Sequence, residues 1–411
     1  MRVMQYTGLK WLGEIPADWT LTKIGGLYSI RNEKVSDKDY PPLSVTNKGI
    51  LPQLETAAKT NDGDNRKLVR IGDFAINSRS DRRGSCGISP YDGSVSLINI
   101  VMTPRKAMVP TYYEWLFHTT QFGDENYRWG HGIVDDLWTT GWQEMKKITI
   151  PMPPLDEQER IASFLTTKCT EIDALTSDVQ AQIDVLEQYK RSVITETVTK
   201  GLNPDAKMKD SGIQWIGMMP SHWDCIRGKY ILKYIQKPVR EDDGVITCFR
   251  DGEVTLRSNR REDGFTMADK EIGYQGIDVG DLVVHGMDGF AGAIGISDSR
   301  GKASPVLNVL GTEQNKRYIM YFLRSMAYSD VFLALATGIR VRSCDLRWNK
   351  LAELFYPVPP IEEQEAIVAH IDSVLQKAND VIADKKEQLA VLESYKKSLI
   401  YEYVTGKKEV I

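Results

Sequence analysis

The sequence lacks paired cysteines and long apolar runs. Its 411 residues include only 5 cysteines, which are scattered and form no Cys-x-x-Cys pair, so we expect reduced thiols and neither disulfides nor a zinc site. The sequence contains no run of about eighteen apolar residues, so it predicts no transmembrane helix. The segment Met1–Tyr6 also lacks the apolar stretch of a signal peptide. These absences predict a cytoplasmic protein. The chain is long enough for two domains that each have a hydrophobic core.

An excess of basic residues is missing as well. The formal net charge is −4 at pH 7, whereas a protein that binds nucleic acid through most of its surface is strongly basic. A nucleic-acid partner would therefore require a local positive surface.

The sequence contains no recognisable catalytic motif. Segment Gly295–Ala303 comes nearest to a phosphate-binding loop, but it has one residue too many and Ala where a hydroxyl should bind magnesium. Segment Asp39–Pro42 has the letters of an amino-methyltransferase motif in the wrong order. No histidine forms a His-Glu-x-x-His pair, and His285 beside Asp288 lacks a partnered nucleophile. We therefore predict no catalytic residue and no metal ligand, while the carboxylate pair of a metal nuclease stays open because acidic residues are too numerous to choose among.

What the sequence does contain is a long amphipathic pattern over residues 153–200. Apolar residues recur there at steps of mostly three and four, and no Gly or Pro interrupts the pattern between Pro154 and Gly201, which predicts one long helix. Asp156 and Glu157 near its start suit the positive end of the helix dipole. At about 1.5 Å per residue the helix would span roughly 60 Å, too long for the core of one domain. It therefore needs a partner.

A second copy of this helix follows 206 residues later. The phrase Pro153–Glu159 returns as Pro359–Glu365, and Leu186–Ser192 returns as Leu392–Ser398. A constant offset over a whole element indicates duplication. We predict that the two copies pack antiparallel through a coiled-coil seam. The predicted seam residues are Ile172, Leu175, Val179, Leu186 and Val193 in the first copy and Ala378, Val381, Leu389, Leu392 and Leu399 in the second.

A short phrase bracketed by tryptophans opens each half of the chain. Trp11–Trp19 has its counterpart in Trp215–Trp223, with Gly and Pro at matching places. We interpret both as packed straps that anchor a domain against a helix end, rather than as aromatic binding platforms. The predicted boundaries are 1–152 for the first strap and domain, 153–201 for the first helix, 202–358 for the second strap and domain, and 359–411 for the second helix.

Between strap and helix, the pattern shortens to β-rich runs such as Leu68–Ile71 and Phe74–Ile76, and one helix is predicted over Tyr112–Thr120. Sparse matches at offsets of 206 and 208 connect the two domains, among them Gly84–Ser89 with Gly292–Ser297. The scaffold positions agree, whereas the residues between them differ. We therefore predict a mixed α/β (α+β) fold. Its two similar domains would be separated by the pair of long antiparallel coiled-coil helices, in a pseudo-twofold internal repeat.

Loops rich in arginine are the candidates for DNA contact. Arginine offers paired donors to guanine edges and phosphates, and neighbouring Asn, Ser or Asp side chains add acceptors. One such loop alone is more often a solvated surface, but the loops around Gly132 and Gly338 occupy matching places in the two domains. The predicted DNA-binding residues are Arg79, Arg82, Arg83, Arg128 and His131 in the first domain and Arg250, Arg257, Arg260, Arg340, Arg342 and Ser343 in the second.

Over nearly its whole length, the chain resembles the specificity subunit of a type I restriction-modification system. The resemblance rests on the duplicated helix opening, the repeated Leu-Glu-x-Tyr-Lys-Lys/Arg-Ser phrase and the tryptophan straps. It implies two target-recognition domains that each read one half of an asymmetric bipartite DNA site, with the spacer set by the helices. The implied partners are double-stranded DNA, two modification subunits that carry S-adenosylmethionine and methylate adenine, and commonly two motor-endonuclease subunits that use ATP and Mg. This chain itself is expected to bind no cofactor and to be non-catalytic.

Two other classes of function stay open. A nuclease or fused restriction enzyme with an unrecognised active site would cleave or methylate DNA as the purified chain alone. A structural coiled-coil adaptor without a role in DNA binding would tolerate changes of Arg82 or Arg340 without consequence.

Overall fold

The computed structural model describes residues 2–53, 62–79, 84–132, 138–260, 272–334 and 346–410. By its internal contacts the chain divides into two compact units. Unit 1 comprises Met1–Gln180 with Lys386–Ile411, and unit 2 comprises Ala181–Lys385. Each unit therefore combines one strap and one domain with parts of both long helices. The four-part division predicted from the sequence treats these as separate segments.

Unit 1 consists of short antiparallel strands and helices. Its strands are β1 (Met4–Tyr6), β2 (Glu14–Pro16), β3 (Thr20–Lys23), β4 (Tyr28–Ile30), β5 (Lys34–Val35), β6 (Leu43–Thr46), β7 (Gly49–Pro52), β8 (Arg66–Val69), β9 (Phe74–Asn77), β10 (Cys86–Ile88), β11 (Gly93–Val95), β12 (Asn99–Pro104) and β13 (Thr149–Met152). Its helices are α1 (Ile24–Leu27), α2 (Pro110–Phe117), α3 (Thr120–Arg128), α4 (Trp142–Met145) and the first part of α5 (Leu155–Lys200). The described strands include a sheet in the order β10-β9-β12-β4 and another in the order β11-β8-β5.

Unit 2 repeats this arrangement. Its strands are β14 (Met208–Asp210), β15 (Met218–Pro220), β16 (Asp224–Arg227), β17 (Leu232–Ile235), β18 (Ile246–Cys248), β19 (Val254–Leu256), β20 (Gln275–Ile277), β21 (Leu282–His285), β22 (Ile294–Ile296), β23 (Gly301–Ala303), β24 (Leu307–Thr312) and β25 (Phe355–Val358). Its helices are α6 (Gly228–Ile231), α7 (Lys316–Tyr328), α8 (Val331–Ala334), α9 (Trp348–Glu353) and the first part of α10 (Ile361–Val404), whose end belongs to unit 1.

The two units share one topology. The sheet order β17-β24-β21-β22 of unit 2 corresponds to β4-β12-β9-β10 of unit 1, and the hairpin β18–β19 corresponds to β6–β7. The terminal pair β16–β25 likewise corresponds to β3–β13. The predicted mixed α/β fold with two similar domains is therefore confirmed.

A close approach at one glycine places each hairpin over its sheet. A Cβ atom on Gly87 in β10 would lie 2.8 Å from the Cα atom of Gly49 at the start of β7. In unit 2, a Cβ atom on Gly295 in β22 would lie 2.0 Å from the backbone oxygen of Gly252, between β18 and β19. Both distances are too short for any side chain. Only glycine permits the contact, so Gly87 and Gly295 fix where the hairpins sit.

The helix predicted over Tyr112–Thr120 ends earlier than expected. Helix α2 ends at Phe117, and α3 begins at Thr120. The hydroxyl of Thr119 accepts a hydrogen bond from the backbone nitrogen of Phe122 at 3.2 Å, which caps α3 and starts a new helix. The prediction therefore merged the start of α3 with α2.

Both tryptophan straps pack against helix ends. In unit 1, Trp11 and Trp19 are buried, and the backbone oxygen of Trp11 accepts a 2.8 Å hydrogen bond from Tyr401 Oη near the end of α10. Trp19 Nε1 donates to Glu157 Oε2 at the start of α5, also at 2.8 Å. In unit 2, Trp223 is fully buried. These tryptophans are packed anchors and not open aromatic platforms.

The long helices pair antiparallel in each unit. In unit 1, Ile161 near the start of α5 shares a core with Val404 at the end of α10, and Lys396 Nζ lies 2.5 Å from Asp173 Oδ1. In unit 2 the opposite ends of the same helices supply the core, with α5 contributing Ile194 and Val198 and α10 contributing Ile367 and Ile371. The antiparallel pairing is therefore confirmed.

None of the helices in the described part of the chain is long and apolar enough to cross a membrane.

The buried seam of the helices differs from the prediction at its second position. Ile183 and Ile382 are buried and lie four residues after a predicted seam residue. Leu175 and Val381 lie three residues after one and are 53% and 43% exposed, so they do not belong to the buried seam. Residues three and four positions after a given residue lie on opposite sides of the apolar stripe of a helix. In these helices the side with the residue four positions later is buried. Among the other predicted seam residues, Ile172, Ala378 and Leu399 are buried, and Val179, Leu186, Val193, Leu389 and Leu392 are half-buried.

Candidate nucleic-acid interface

Unit 2 contains an open cleft of about 760 Å³ beside the β18–β19 hairpin. Three of the predicted arginines, Arg250, Arg257 and Arg260, line this cleft. His285, the last residue of β21, and Asp288, three residues later, line it as well. The fold thus brings the arginines of one hairpin to side chains from a separate loop.

A tight turn supports the arginines at the tip of the hairpin. Phe249 N donates a 2.8 Å hydrogen bond to the backbone oxygen of Glu253, and Gly252 N donates one of 2.9 Å to that of Phe249. Gly252 has a φ of +88°, in the left-handed region that favours glycine. The turn presents Arg250–Asp251 at its tip, and a 3-10 turn over Arg257–Asn259 follows β19. The backbone beneath these side chains is therefore well defined.

The guanidinium of Arg260 is held by three neighbours. Nη1 lies 3.1 Å from Asp251 Oδ1, Nη2 lies 2.6 Å from Asp251 Oδ2, and Nη1 also donates to Glu253 Oε2 at 3.1 Å. Its Cζ atom lies 4.1 Å from the ring centroid of Phe249. The hydrogen bond to Asp251 raises the pKa of Arg260. Burial alone would raise the pKa of Asp251, but the hydrogen bonds from Arg260 and the backbone outweigh burial and lower it, so both groups are charged.

Arg250 is held more loosely. Its Nη2 donates a hydrogen bond to Asp288 Oδ1 at 2.9 Å, and its side chain is 60% exposed. Arg257 is half-buried, and its Nε lies 3.4 Å from Thr247 Oγ1. The three guanidinium groups of the cleft therefore differ in how firmly they are oriented.

His285 presents one hydrogen-bond donor. Its Nδ1 accepts hydrogen bonds from the backbone nitrogens of Met287 at 3.2 Å and Asp288 at 3.0 Å, and only an unprotonated Nδ1 can accept. The proton of the neutral ring therefore lies on Nε2. Burial lowers the pKa of His285, and although Asp288 opposes this shift, the charge of Arg250 adds to it. Near neutral pH the imidazole is uncharged.

The lining of the cleft suits hydrogen bonding more than covalent chemistry. Burial raises the pKa of Cys248 to about 12, so its thiol stays protonated and is a poor nucleophile. Within the described ranges, no group of three or more His, Cys, Asp or Glu side chains is arranged to hold a metal. Charged donors on Arg250 and Arg260 alternate with carboxylate acceptors on Asp251 and Asp288. Guanidinium donors pair with base edges and phosphates, and carboxylates accept from the amino group of cytosine.

In unit 1, the structure brings Arg79, Arg128 and His131 into one region. Isolated β-bridges connect Thr139 with both Arg79 and His131, and the side chains of Arg79 and His131 are exposed. Arg128, three residues before His131, ends α3 and forms a 3.2 Å ion pair with Glu125. The predicted residues that lie far apart in the sequence therefore converge here.

The two units cap an equivalent turn with different side chains. Asn77 Oδ1 accepts a hydrogen bond from the backbone nitrogen of Arg79 at 3.0 Å. His285, which lies 208 residues after Asn77, makes the same contact with the backbone nitrogen of Met287 through Nδ1. The scaffold is the same, whereas the donors and acceptors it presents differ.

Comparisons with known proteins agree with these features. Residues 16–185 match the family described as type I restriction modification DNA specificity domain. The putative type I restriction enzyme MjaX specificity subunit of Methanocaldococcus jannaschii is 21% identical over 97% of this chain and 96% of that protein. The MjaVIII specificity subunit of the same organism is 25% identical over 96% of this chain and 94% of that protein. Over nearly its whole length, the chain is therefore similar to type I specificity subunits.

A solved structure shares the fold of this chain. It was described as showing the structural basis of complex assembly and conformational transition of the type I R-M system. The two structures superpose with a TM-score of 0.69 at 15% identity, over 96% of this chain and 99% of the other. The fold therefore extends beyond the residues that the family model matches.

Part of the site predicted from the sequence lies outside the described residues, namely Arg82, Arg83, Arg340, Arg342, Ser343 and also Gly338. Conversely, Phe249, His285 and Asp288 line the cleft and were not predicted to bind DNA. One available signal was the offset of 208 that places His285 opposite Asn77, next to the predicted Arg79 loop. No sequence signal pointed to Phe249 or Asp288.

Proposed function

We propose that this chain is a type I specificity subunit, that it binds double-stranded DNA and that each unit reads one half of an asymmetric bipartite site. The proposal is carried by the cleft of unit 2, where Arg250, Arg257 and Arg260 meet the carboxylates of Asp251 and Asp288. Guanidinium forks pair with guanine edges in the major groove, and carboxylates accept from the amino group of cytosine. The common scaffold and different cap residues of the two units support two different half-sites.

We further propose that α5 and α10 set the length of the unread spacer between the half-sites. Their 46 and 44 residues correspond to roughly 65–70 Å of helix at about 1.5 Å per residue. Half-sites on the same side of the duplex lie about one turn, ~34 Å, apart. A pair of long helices packed along each other resists bending, which suits a fixed separation.

Two modification subunits, which carry S-adenosylmethionine and methylate adenine, are the proposed partners, together with restriction subunits that use ATP and Mg. In this proposal the chain directs their activity to a DNA sequence in the cytoplasm and contributes neither a cofactor nor a catalytic group. The formal net charge of −4 fits such a division of labour, because the partners would supply much of the positive surface around the duplex.

Exposed apolar side chains on the helices support a partner that binds twice. Single exposed apolar residues are common on protein surfaces, so the support comes from their repetition at equivalent positions in the two units. Each exposed position in one unit has an exposed counterpart 206 residues away in the other unit. The four pairs are Leu155 with Ile361, Leu175 with Val381, Val185 with Val391 and Tyr189 with Tyr395.

Methylome sequencing of cells that express the chain with its modification partner tests the proposal. Replacing residues 21–150 by the domain of another family member is expected to change one half of the methylated motif and to leave the other half intact. A change in both halves would contradict independent reading by the two units. DNA cleavage or methylation by the purified chain alone would favour an enzyme instead, and unaltered methylation after substitution of the cleft arginines would favour a structural adaptor.

A further inference from the structure

We infer that Arg260 is a specificity-determining residue that reads the major-groove edge of one guanine in the half-site bound by unit 2. Asp251, Glu253 and Phe249 act through Arg260 as positioning residues. The inference rests on the proposed function and adds to it the base and the side chain that recognises it.

The hydrogen bonds of Arg260 leave one pair of donors open. Asp251 occupies the fork between Nη1 and Nη2 at 3.1 and 2.6 Å, and Glu253 accepts from Nη1 at 3.1 Å. No group in the described part of the chain accepts a hydrogen bond from Nε. The second fork, formed by Nε–H and the remaining hydrogen of Nη2, is therefore available. Two parallel N–H donors of this kind match O6 and N7 of guanine.

The same neighbours fix the direction of the open fork. The hydrogen bond from Nη1 and the ion-pair contact of Nη2 with Asp251 set the plane of the guanidinium, and the ring of Phe249, 4.1 Å from Cζ, supports its face. Both residues belong to the turn that the φ of +88° at Gly252 makes possible. A side chain that is already oriented loses less conformational freedom on binding, so it discriminates by geometry.

Local charge favours a base edge over a phosphate at Arg260. One guanidinium faces two carboxylates, those of Asp251 and Glu253, so the group as a whole is negative. A phosphate at the open fork would be repelled by both carboxylates, whereas the neutral edge of guanine would not. Arg250, with one carboxylate partner and a 60% exposed side chain, suits a phosphate contact better.

The test begins with the motif that methylome sequencing gives for the wild-type chain expressed with its modification partner. If no bipartite motif appears, the proposed function fails. If a motif appears, the binding measurements that follow test only the role of Arg260. The purified complex is then titrated at fixed salt with motif duplexes in which 7-deazaguanine replaces one guanine at a time. This analogue lacks the N7 acceptor. Wild-type affinity is expected to fall about five- to tenfold at one guanine, because one of two hydrogen bonds is lost and the other remains.

Arg260→Ala is expected to bind the unmodified motif about 5- to 150-fold more weakly, the range for a bidentate base contact, and to show no further loss with 7-deazaguanine at that position. If Arg260→Ala keeps the full wild-type loss at every guanine, Arg260 does not read a base. If it weakens all duplexes equally and lowers the slope of log affinity against log salt by about 0.9, Arg260 contacts a phosphate. Either result overturns the inference.

Two further variants separate recognition from folding and charge. Arg260→Lys keeps the charge but lacks the fork, so it is expected to lose discrimination at the same guanine, and it decides the matter if Arg260→Ala does not fold. Arg227→Ala is the matched control, because Arg227 also lies over a ring, 5.1 Å from Phe355, and pairs with Glu353 at 3.1 Å outside the cleft. It is expected to keep the wild-type pattern. Loss of the same guanine discrimination in this control would refute a local role for Arg260.

Discussion

Replacing Tyr112 by Phe is expected to destabilise unit 1 by about 1–3 kcal/mol, the cost of leaving a buried acceptor without its donor. Tyr112 is fully buried, and its Oη donates a 2.7 Å hydrogen bond to the backbone oxygen of Val404. Val404 ends α10, and the last carbonyls of a helix have no donor within the helix. Val404 is itself fully buried, so water does not readily replace the lost hydroxyl.

The counterpart in unit 2 is expected to lose less. Tyr318 Oη lies 3.1 Å from the backbone oxygen of Val198 and 3.0 Å from that of Pro357. One hydroxyl proton is shared between these two acceptors, and both distances are longer than the 2.7 Å at Tyr112. Tyr318→Phe is therefore expected to cost about 1 kcal/mol, the value of an ordinary hydrogen bond.

Urea unfolding followed by tryptophan fluorescence measures both changes as a shift in midpoint at constant m value. Tyr6→Phe and Tyr230→Phe are the matched controls, because these tyrosines are 72% and 74% exposed, and they are expected to change stability by less than about 0.5 kcal/mol. The reasoning is refuted if Tyr112→Phe destabilises the protein no more than Tyr6→Phe does.

Two other predictions concern the helices and the acid stability of unit 2. Lengthening α5 and α10 by about one turn each is expected to change the spacer of the methylated motif and to preserve both half-sites, and methylome sequencing that shows altered half-sites would contradict a spacing role. Hydrogen bonds from Lys237 and then Arg300 lower the pKa of Asp278 to about 2, below about 3.9 in the unfolded chain. A carboxyl group whose pKa is lower in the folded protein stabilises the fold at pH values above its unfolded pKa, and this stabilisation is lost as the pH falls through its folded pKa. The difference in urea midpoint between wild type and Asp278→Asn should therefore shrink between about pH 4 and pH 2. An equal advantage at pH 7 and pH 3 would show that the ion pairs do not contribute.

The helices and the duplication could be predicted because both leave a periodic record in the sequence. The phrase around Gln158 returns around Gln364, and helical periodicity is a local property. The face of the helix that is buried is not local, because it depends on what packs against it. This is why Leu175 and Val381 were assigned to the seam, whereas Ile183 and Ile382 fill it.

The cleft could be predicted only in part. Arg250, Arg257 and Arg260 stand out in the sequence as clustered charges, but their neighbours depend on how the chain folds back. Asp288 reaches Arg250 across 38 residues, and Phe249 lies beneath Arg260 because a tight turn reverses the chain between them. Pairings of this kind follow from the crossing of hairpin and sheet at Gly295, which no periodicity records.

The make-up of unit 1 has a consequence for synthesis on the ribosome. Its core contains Trp11 and Trp19 from the first strap and also Leu399, Ile400 and Val404 from the far end of the chain. Residues 181–385, which form unit 2, emerge before those last contributors do. The half that is translated first is thus completed last, and until then the apolar surface that these last residues cover stays exposed to aggregation.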